Sequence, residues 1–143
     1  MYLPTWSQLR IATKQRSQVS TGGDFFEVFQ NRDGRVSIVM ADVAGNGPSA
    51  AAHVSGVRWN LRQQLARGAP PGQVLAVTNE WLVGQSVPDW FVTALCARID
   101  VRTGRTEIAG AGHLGPFIKR ADGAAEHVTL PPALALGMLP GEV

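Results

Sequence analysis

Asp24-Phe25-Phe26-Glu27-Val28-Phe29-Gln30, then Asn31-Arg32-Asp33-Gly34, then Arg35-Val36-Ser37-Ile38-Val39-Met40-Ala41-Asp42-Val43, is the run that decides the fold. Phe25 to Gln30 and Arg35 to Val43 are rich in aromatic and β-branched residues, and the four residues between them are turn formers. The reading is an antiparallel hairpin. Upstream, Leu9 to Thr13 reads as a further short strand. Downstream, Ser49 to Arg67 carries apolar residues at 50, 54, 57, 61 and 65, the spacing of a helix with one buried stripe, and Gly68 offers a stop. Pro70 and Pro71 open a second helix, whose inner side is predicted to hold Val74, Val77, Trp81 and Leu82. Trp90 to Ile99 is almost continuously apolar and β-prone and reads as a strand. Asp100 to Gly104 turns it into Arg105 to Ala111, and two short strands, Phe117 to Arg120 and near His127 to Leu130, close the pattern. This order predicts an α+β fold, with paired helices on one face of antiparallel sheet.

The 143 residues suit one domain, on a prior of about 100–200 residues each. With 45% apolar and 17% charged residues, the chain is neither disordered nor collagen-like. Net charge is +2, and Arg10, Lys14 and Arg16 stand near the N-terminus without an acid. The remaining positives are spread out, which argues against a nucleic-acid partner. No stretch approaches the ~20 apolar residues of a membrane span, so no membrane segment is expected. The single cysteine, Cys96, lies in an apolar run; it reads as a buried small residue in a reducing, cytoplasmic compartment.

Two acids sit beside glycines at strand ends, Asp24 in Gly22-Gly23-Asp24 and Asp42 in Asp42-Val43-Ala44-Gly45-Asn46-Gly47. A hairpin between them returns Asp42 to the neighbourhood of Asp24. Taken singly, each Asp reads first as a turn or cap residue. As a pair they are crowded like charges, which call for a raised pKa or a bound cation, and oxygen ligands alone favour Mg²⁺ or Mn²⁺ over zinc. Gly45-Asn46-Gly47-Pro48-Ser49-Ala50 also fits the dinucleotide fingerprint G-x-G-x-x-A. Its context does not fit, because a second helix follows instead of a parallel strand, and the next acid is Glu80.

Four runs in order, Gly22-Gly23-Asp24-Phe25-Phe26-Glu27, Ala41-Asp42-Val43-Ala44-Gly45-Asn46-Gly47-Pro48-Ser49-Ala50-Ala51, Phe91-Val92-Thr93-Ala94 and Ala111-Gly112-His113-Leu114-Gly115-Pro116, resemble the metal-dependent protein phosphatase (protein phosphatase 2C, or PPM) superfamily. Within it they look like the sporulation stage II protein E branch of sigma-factor-regulating phosphatases. The resemblance implies an antiparallel β-sandwich flanked by helices, a binuclear Mn²⁺ or Mg²⁺ site, and hydrolysis of phosphoserine or phosphothreonine in a phosphorylated regulator such as an anti-sigma-factor antagonist. It makes Asp24 and Asp42 catalytic through bound metal and water, with Asp42 bridging both ions and Val43 lending its main-chain carbonyl. Asn46 stands where other branches carry His. His113 is expected to shape its turn, and His53 and His127 receive no role.

The family's later T-D-G and D-D-x-T motifs do not occur in these 143 residues. Asp89, Asp100 and Glu80 do not substitute for them. Residues 1–143 are therefore expected to be a single PPM-type domain without its C-terminal segments, with sensor domains or a dimer partner as further associates. The alternative expectation is a catalytically weak, phosphatase-like module that binds a phosphoprotein without turnover.

Overall fold

The computed structural model describes residues 8–15, 23–45, 47–85 and 90–141, the side chains of 47–51 excepted. Predictions concerning Gly22, Asn46, Asp89 and the side chain of Ala50 lie outside the described residues. The hairpin forms as read. Strand β1 (Asp24–Gln30) pairs antiparallel with β2 (Val36–Val43). The turn between them is closed by Asn31 N–H to the Arg35 carbonyl at 2.7 Å, and the Asp33 carboxylate accepts the Arg35 N–H at 3.0 Å. Gly34 sits there at φ +84°, a conformation that costs a residue with Cβ.

Helices α1 (Gly47–Ala66) and α2 (Pro71–Gln85) follow, then β3 (Val92–Ile99) and β4 (Thr106–Ala111), giving a four-stranded antiparallel sheet in the order β1-β2-β3-β4. A separate two-stranded sheet joins β5 (Phe117–Lys119) to β6 (Ala125–His127). Leu9 to Thr13 is no strand: Leu9 makes a lone bridge and residues 10–13 are irregular. The last strand starts earlier than expected, because the Asp122-Gly123 turn leads straight into Ala125.

Period-two alternation puts Phe25, Phe29, Val39, Ala41 and Val43 on one face of the sheet, where they meet Val57, Leu61 and Leu65 of α1 and Val74, Leu75 and Leu82 of α2. That layer is the core. α1 ends in a reciprocal pair of bonds around Gly68 (φ +86°), Gly68 N–H to Leu65 O at 2.8 Å and Ala69 N–H to Gln64 O at 3.2 Å, the pattern a left-handed glycine allows. The phase expected for α1 holds at Val57, Leu61 and Leu65, all 0% exposed. The phase expected for α2 holds at Val74 and Leu82, with Trp81 partly buried against the core, and fails at Val77. Val77 is 42% exposed, and the buried positions include Leu75, Thr78 and Asn79. Cys96 is fully buried, and burial pushes its thiol up to about 12.

Arg62 is exposed, and it also engages the sheet. Its guanidinium lies 4.5 Å from the Phe29 ring centre and 3.1 Å from the Glu27 carboxylate, while Arg58 covers Phe25 at 4.9 Å. Leu61→Ala should cost ~2–5 kcal/mol, since it leaves a cavity between helix and sheet. Arg62→Ala should cost up to ~1 kcal/mol, the range of a part-exposed ion pair with a ring contact. Urea melts of the two variants measure the gap; equal losses would mean α1 is rotated from the position described.

Candidate metal centre

Asp24 and Asp42 are direct partners in the β1–β2 register, and Asp42 is in turn the partner of Thr93 on β3. Directly opposed residues share a face of a sheet, so the row Asp24, Asp42, Thr93 lies on the side away from the helices. Beyond the row, the Thr93 hydroxyl is 2.9 Å from Nδ1 of His113. His113 belongs to the turn that leaves β4, where Gly112 takes φ +61°. Three strands and one turn thus converge on one end of the sheet.

Gly23 explains itself at this end. A Cβ on Gly23 would stand 2.0 Å from the Val43 carbonyl oxygen and 2.9 Å from Oδ1 of Asp42. Val43 N–H donates to the Gly23 carbonyl at 3.2 Å, so the two chain segments are held at this distance. The glycine therefore preserves a cradle into which a main-chain oxygen and a carboxylate oxygen converge, with Asp24 next in sequence. These are hard oxygen donors, the kind Mg²⁺ or Mn²⁺ takes. Among the described residues no group of three or more His, Cys, Asp or Glu side chains forms a metal cluster.

The electrostatics agree with crowding. Partial burial raises the Asp42 carboxyl above its ordinary value, the Asp24 charge raises it further, and His113 opposes both. A carboxyl with a raised folded-state pKa contributes most to stability when protonated, below the ordinary carboxylate value, and that contribution is lost as pH rises through the raised value. Asp42→Asn should therefore melt higher than wild type in metal-free buffer at pH 7 and lose that advantage at pH 3. Thermal melts in chelator at both values measure this; a lower melting temperature at pH 7 would count against the crowded pair.

Asp100, Glu80, His53 and His127 make contacts within the fold, away from the aspartate pair. Asp100 accepts the Arg102 N–H at 3.0 Å in the β3–β4 turn, and that bond holds its carboxyl below the usual range against the opposing effect of burial. Glu80 accepts the Gly141 N–H at 3.0 Å. His53 stacks on Trp90 with ring centres 4.1 Å apart, and His127 meets the Gly115 carbonyl at 3.1 Å. Thr93 and the reason for Gly23 escaped the sequence reading, although Thr93 stood inside a quoted motif. Only the strand register shows what either one touches.

Residues 32–143 match the family model for stage II sporulation protein E. The chain belongs to the SpoIIE family. A curated relative is the phosphoserine phosphatase RsbP of Bacillus subtilis (strain 168), 24% identical over 92% of this chain and 33% of its own length. The chain thus spans about a third of that relative. Among solved structures, the RsbU and RsbW domains of Rv1364c from Mycobacterium tuberculosis superpose with a TM-score of 0.74 at 30% identity, covering 89% of this chain and 36% of that one. The PP2C phosphatase domain of SpoIIE from Bacillus subtilis gives 0.69 at 20% identity, over 83% of this chain and 34% of that one. The SiaA PP2C domain of Pseudomonas aeruginosa also gives 0.69, at 22% identity, over 84% and 48%. The fold of this SpoIIE-family chain is that of the PP2C phosphatase domains. No helix among the described residues is long and apolar enough to cross a membrane.

Proposed function

We propose that this SpoIIE-family chain is a metal-dependent phosphoprotein phosphatase domain that hydrolyses phosphoserine or phosphothreonine in a bacterial regulator, such as an anti-sigma-factor antagonist. The observation that carries the reading is the cradle at Gly23, where Asp42 Oδ1 and the Val43 carbonyl oxygen converge opposite Asp24. Asp24, Asp42 and the Val43 carbonyl would hold Mn²⁺ or Mg²⁺. When bound, the ion supplies Lewis acidity toward phosphoryl oxygen and a water of lowered pKa.

The chain's own residues do the positioning. The β1–β2 ladder fixes the separation of the two carboxylates, and Thr93 holds the His113 ring beside them. His113 bears positive influence on Asp42 and so favours its ionised, ligand-competent form. The name of RsbP, a phosphoserine phosphatase, supports the substrate class. Phosphate release from a phosphoserine peptide with Mn²⁺ tests the reading. Release that stops on adding chelator is expected; release that persists in chelator overturns it. Saturable Mn²⁺ binding without any release would favour the binding module instead.

A further inference from the structure

The turn that leaves β4 presents a leucine to solvent. Leu114 is 84% exposed, and Phe117, at the start of β5, is 77% exposed. A single exposed leucine ordinarily carries no meaning. This one is held out by a braced turn. On one side the Thr93 hydroxyl meets His113 Nδ1 at 2.9 Å, and Gly112 N–H donates to the Ala133 carbonyl at 3.1 Å. On the other, Val128 N–H donates to the Pro116 carbonyl at 2.8 Å, and Gly115 approaches so closely that a Cβ there would stand 2.0 Å from the Val128 oxygen. With its neighbours tied on both sides, the turn has little freedom to fold Leu114 inward.

Leu114 lines an open hollow of about 250 Å³, together with His113, His127, Leu130, Pro131 and Pro132 among others. Among the described residues no Asp, Glu, Lys or Arg lines it. His113 also lines the hollow that contains Asp24, so the two hollows meet at that ring and a largely apolar trough runs on from the aspartate pair. Resting on the phosphatase reading above, we infer that this trough takes the stretch of the phosphoprotein next to its phosphoserine, and that Leu114 selects an apolar side chain there. A phosphoserine whose phosphoryl group lies at the aspartates carries its neighbours away by roughly 3.3 Å per extended residue, which brings them past His113. A charged side chain entering the trough would lose water without gaining an ion pair. An apolar one leaves water together with Leu114, and both gain. The braced turn adds to this, because Leu114 needs no reordering to make the contact.

The test uses the full 143-residue chain and two phosphoserine peptides, one with leucines and one with serines on both sides of the phosphoserine. Wild type, Leu114→Ser and Leu114→Phe are compared with Mn²⁺ present. Wild type should favour the leucine peptide by about tenfold in kcat/KM, with the difference carried in KM. Leu114→Ser should narrow that ratio to about twofold, and Leu114→Phe should keep it. Mn²⁺ affinity should be the same in all three. A second readout needs neither metal nor turnover: the dephosphorylated leucine peptide, titrated into the metal-free chain, should shift the Leu114, Gly115 and Thr129 amide resonances, and the serine peptide should not. Equal kcat/KM for the two peptides in wild type, or an unchanged ratio in Leu114→Ser, overturns the assignment while leaving the metal centre standing. So do amide shifts that leave the trough untouched, and so does loss of Mn²⁺ binding in Leu114→Ser, which would make the leucine structural. A wild type that releases phosphate from neither peptide overturns the phosphatase reading and this inference together.

Discussion

Asp42→Asn will abolish saturable Mn²⁺ binding and, with it, any release of phosphate. The amide keeps one carbonyl oxygen but loses the charge that attracts a divalent cation. Loss of an outer-shell partner alone costs ~10–100-fold in metal affinity, so loss of the central carboxylate should exceed ~100-fold. The variant should still fold, because Asp42 is exposed and its removal relieves the repulsion from Asp24. Asp100→Asn is the matched control, since that carboxylate is committed to a turn N–H. Calorimetric titration of both variants decides the matter. Unchanged affinity in Asp42→Asn, or an equal loss in Asp100→Asn, would remove Asp42 from the ligand set.

Gly23→Ala will damage both the fold and the site at this end of the sheet. Its Cβ would stand 2.0 Å from the Val43 carbonyl oxygen, a main-chain atom that cannot rotate away. The β1–β2 ladder must shift or the two segments must part, at ~1–3 kcal/mol. Either response moves the Val43 and Asp42 oxygens, so Mn²⁺ affinity should fall along with stability. Gly72→Ala on α2 meets nothing within 4 Å and should be neutral or mildly stabilising. Urea melts and Mn²⁺ titration of the pair make the comparison. A Gly23→Ala protein as stable and as metal-competent as wild type would show that the cradle is not closed in solution.

The hairpin was readable from sequence because each level agreed: alternation, turn residues and strand length all pointed to one pairing. α1 was readable for the same reason, with Val57, Leu61 and Leu65 in phase. On α2 the reading placed Val74 and Leu82 inside but missed that Thr78 and Asn79 are buried and Val77 is not, because polarity and burial part company there. Thr78 is buried but bonds Val74 O at 2.7 Å and Asn60 Oδ1 at 2.9 Å, and buried Asn79 takes Leu139 O at 2.8 Å and Gly137 N–H at 2.7 Å. Satisfied polar groups carry no burial signal in a hydropathy pattern. Leu9 to Thr13 failed in the opposite way, being strand-like in composition without a ladder to join. At the site, proximity of Asp24 and Asp42 followed from hairpin logic. The Thr93–His113 contact and the Gly23 cradle depend on which residue faces which across the strands, and spacing along the chain does not encode that.

The two carboxylates sit on the sheet's most local pairing, and this has a bearing on the order of folding events. Joining Asp24 to Asp42 closes only a short loop, whereas β2 meets β3 at Val43 and Val92 only after both helices have been laid down between them. Loop-closure entropy makes the short closure the quicker one. The charges are therefore brought together at an early step, before the core layer exists to hold them. In metal-free buffer at neutral pH, their repulsion acts on a nascent hairpin with little else to stabilise it. A divalent cation present during refolding would act at that step, offsetting the repulsion within the nascent hairpin.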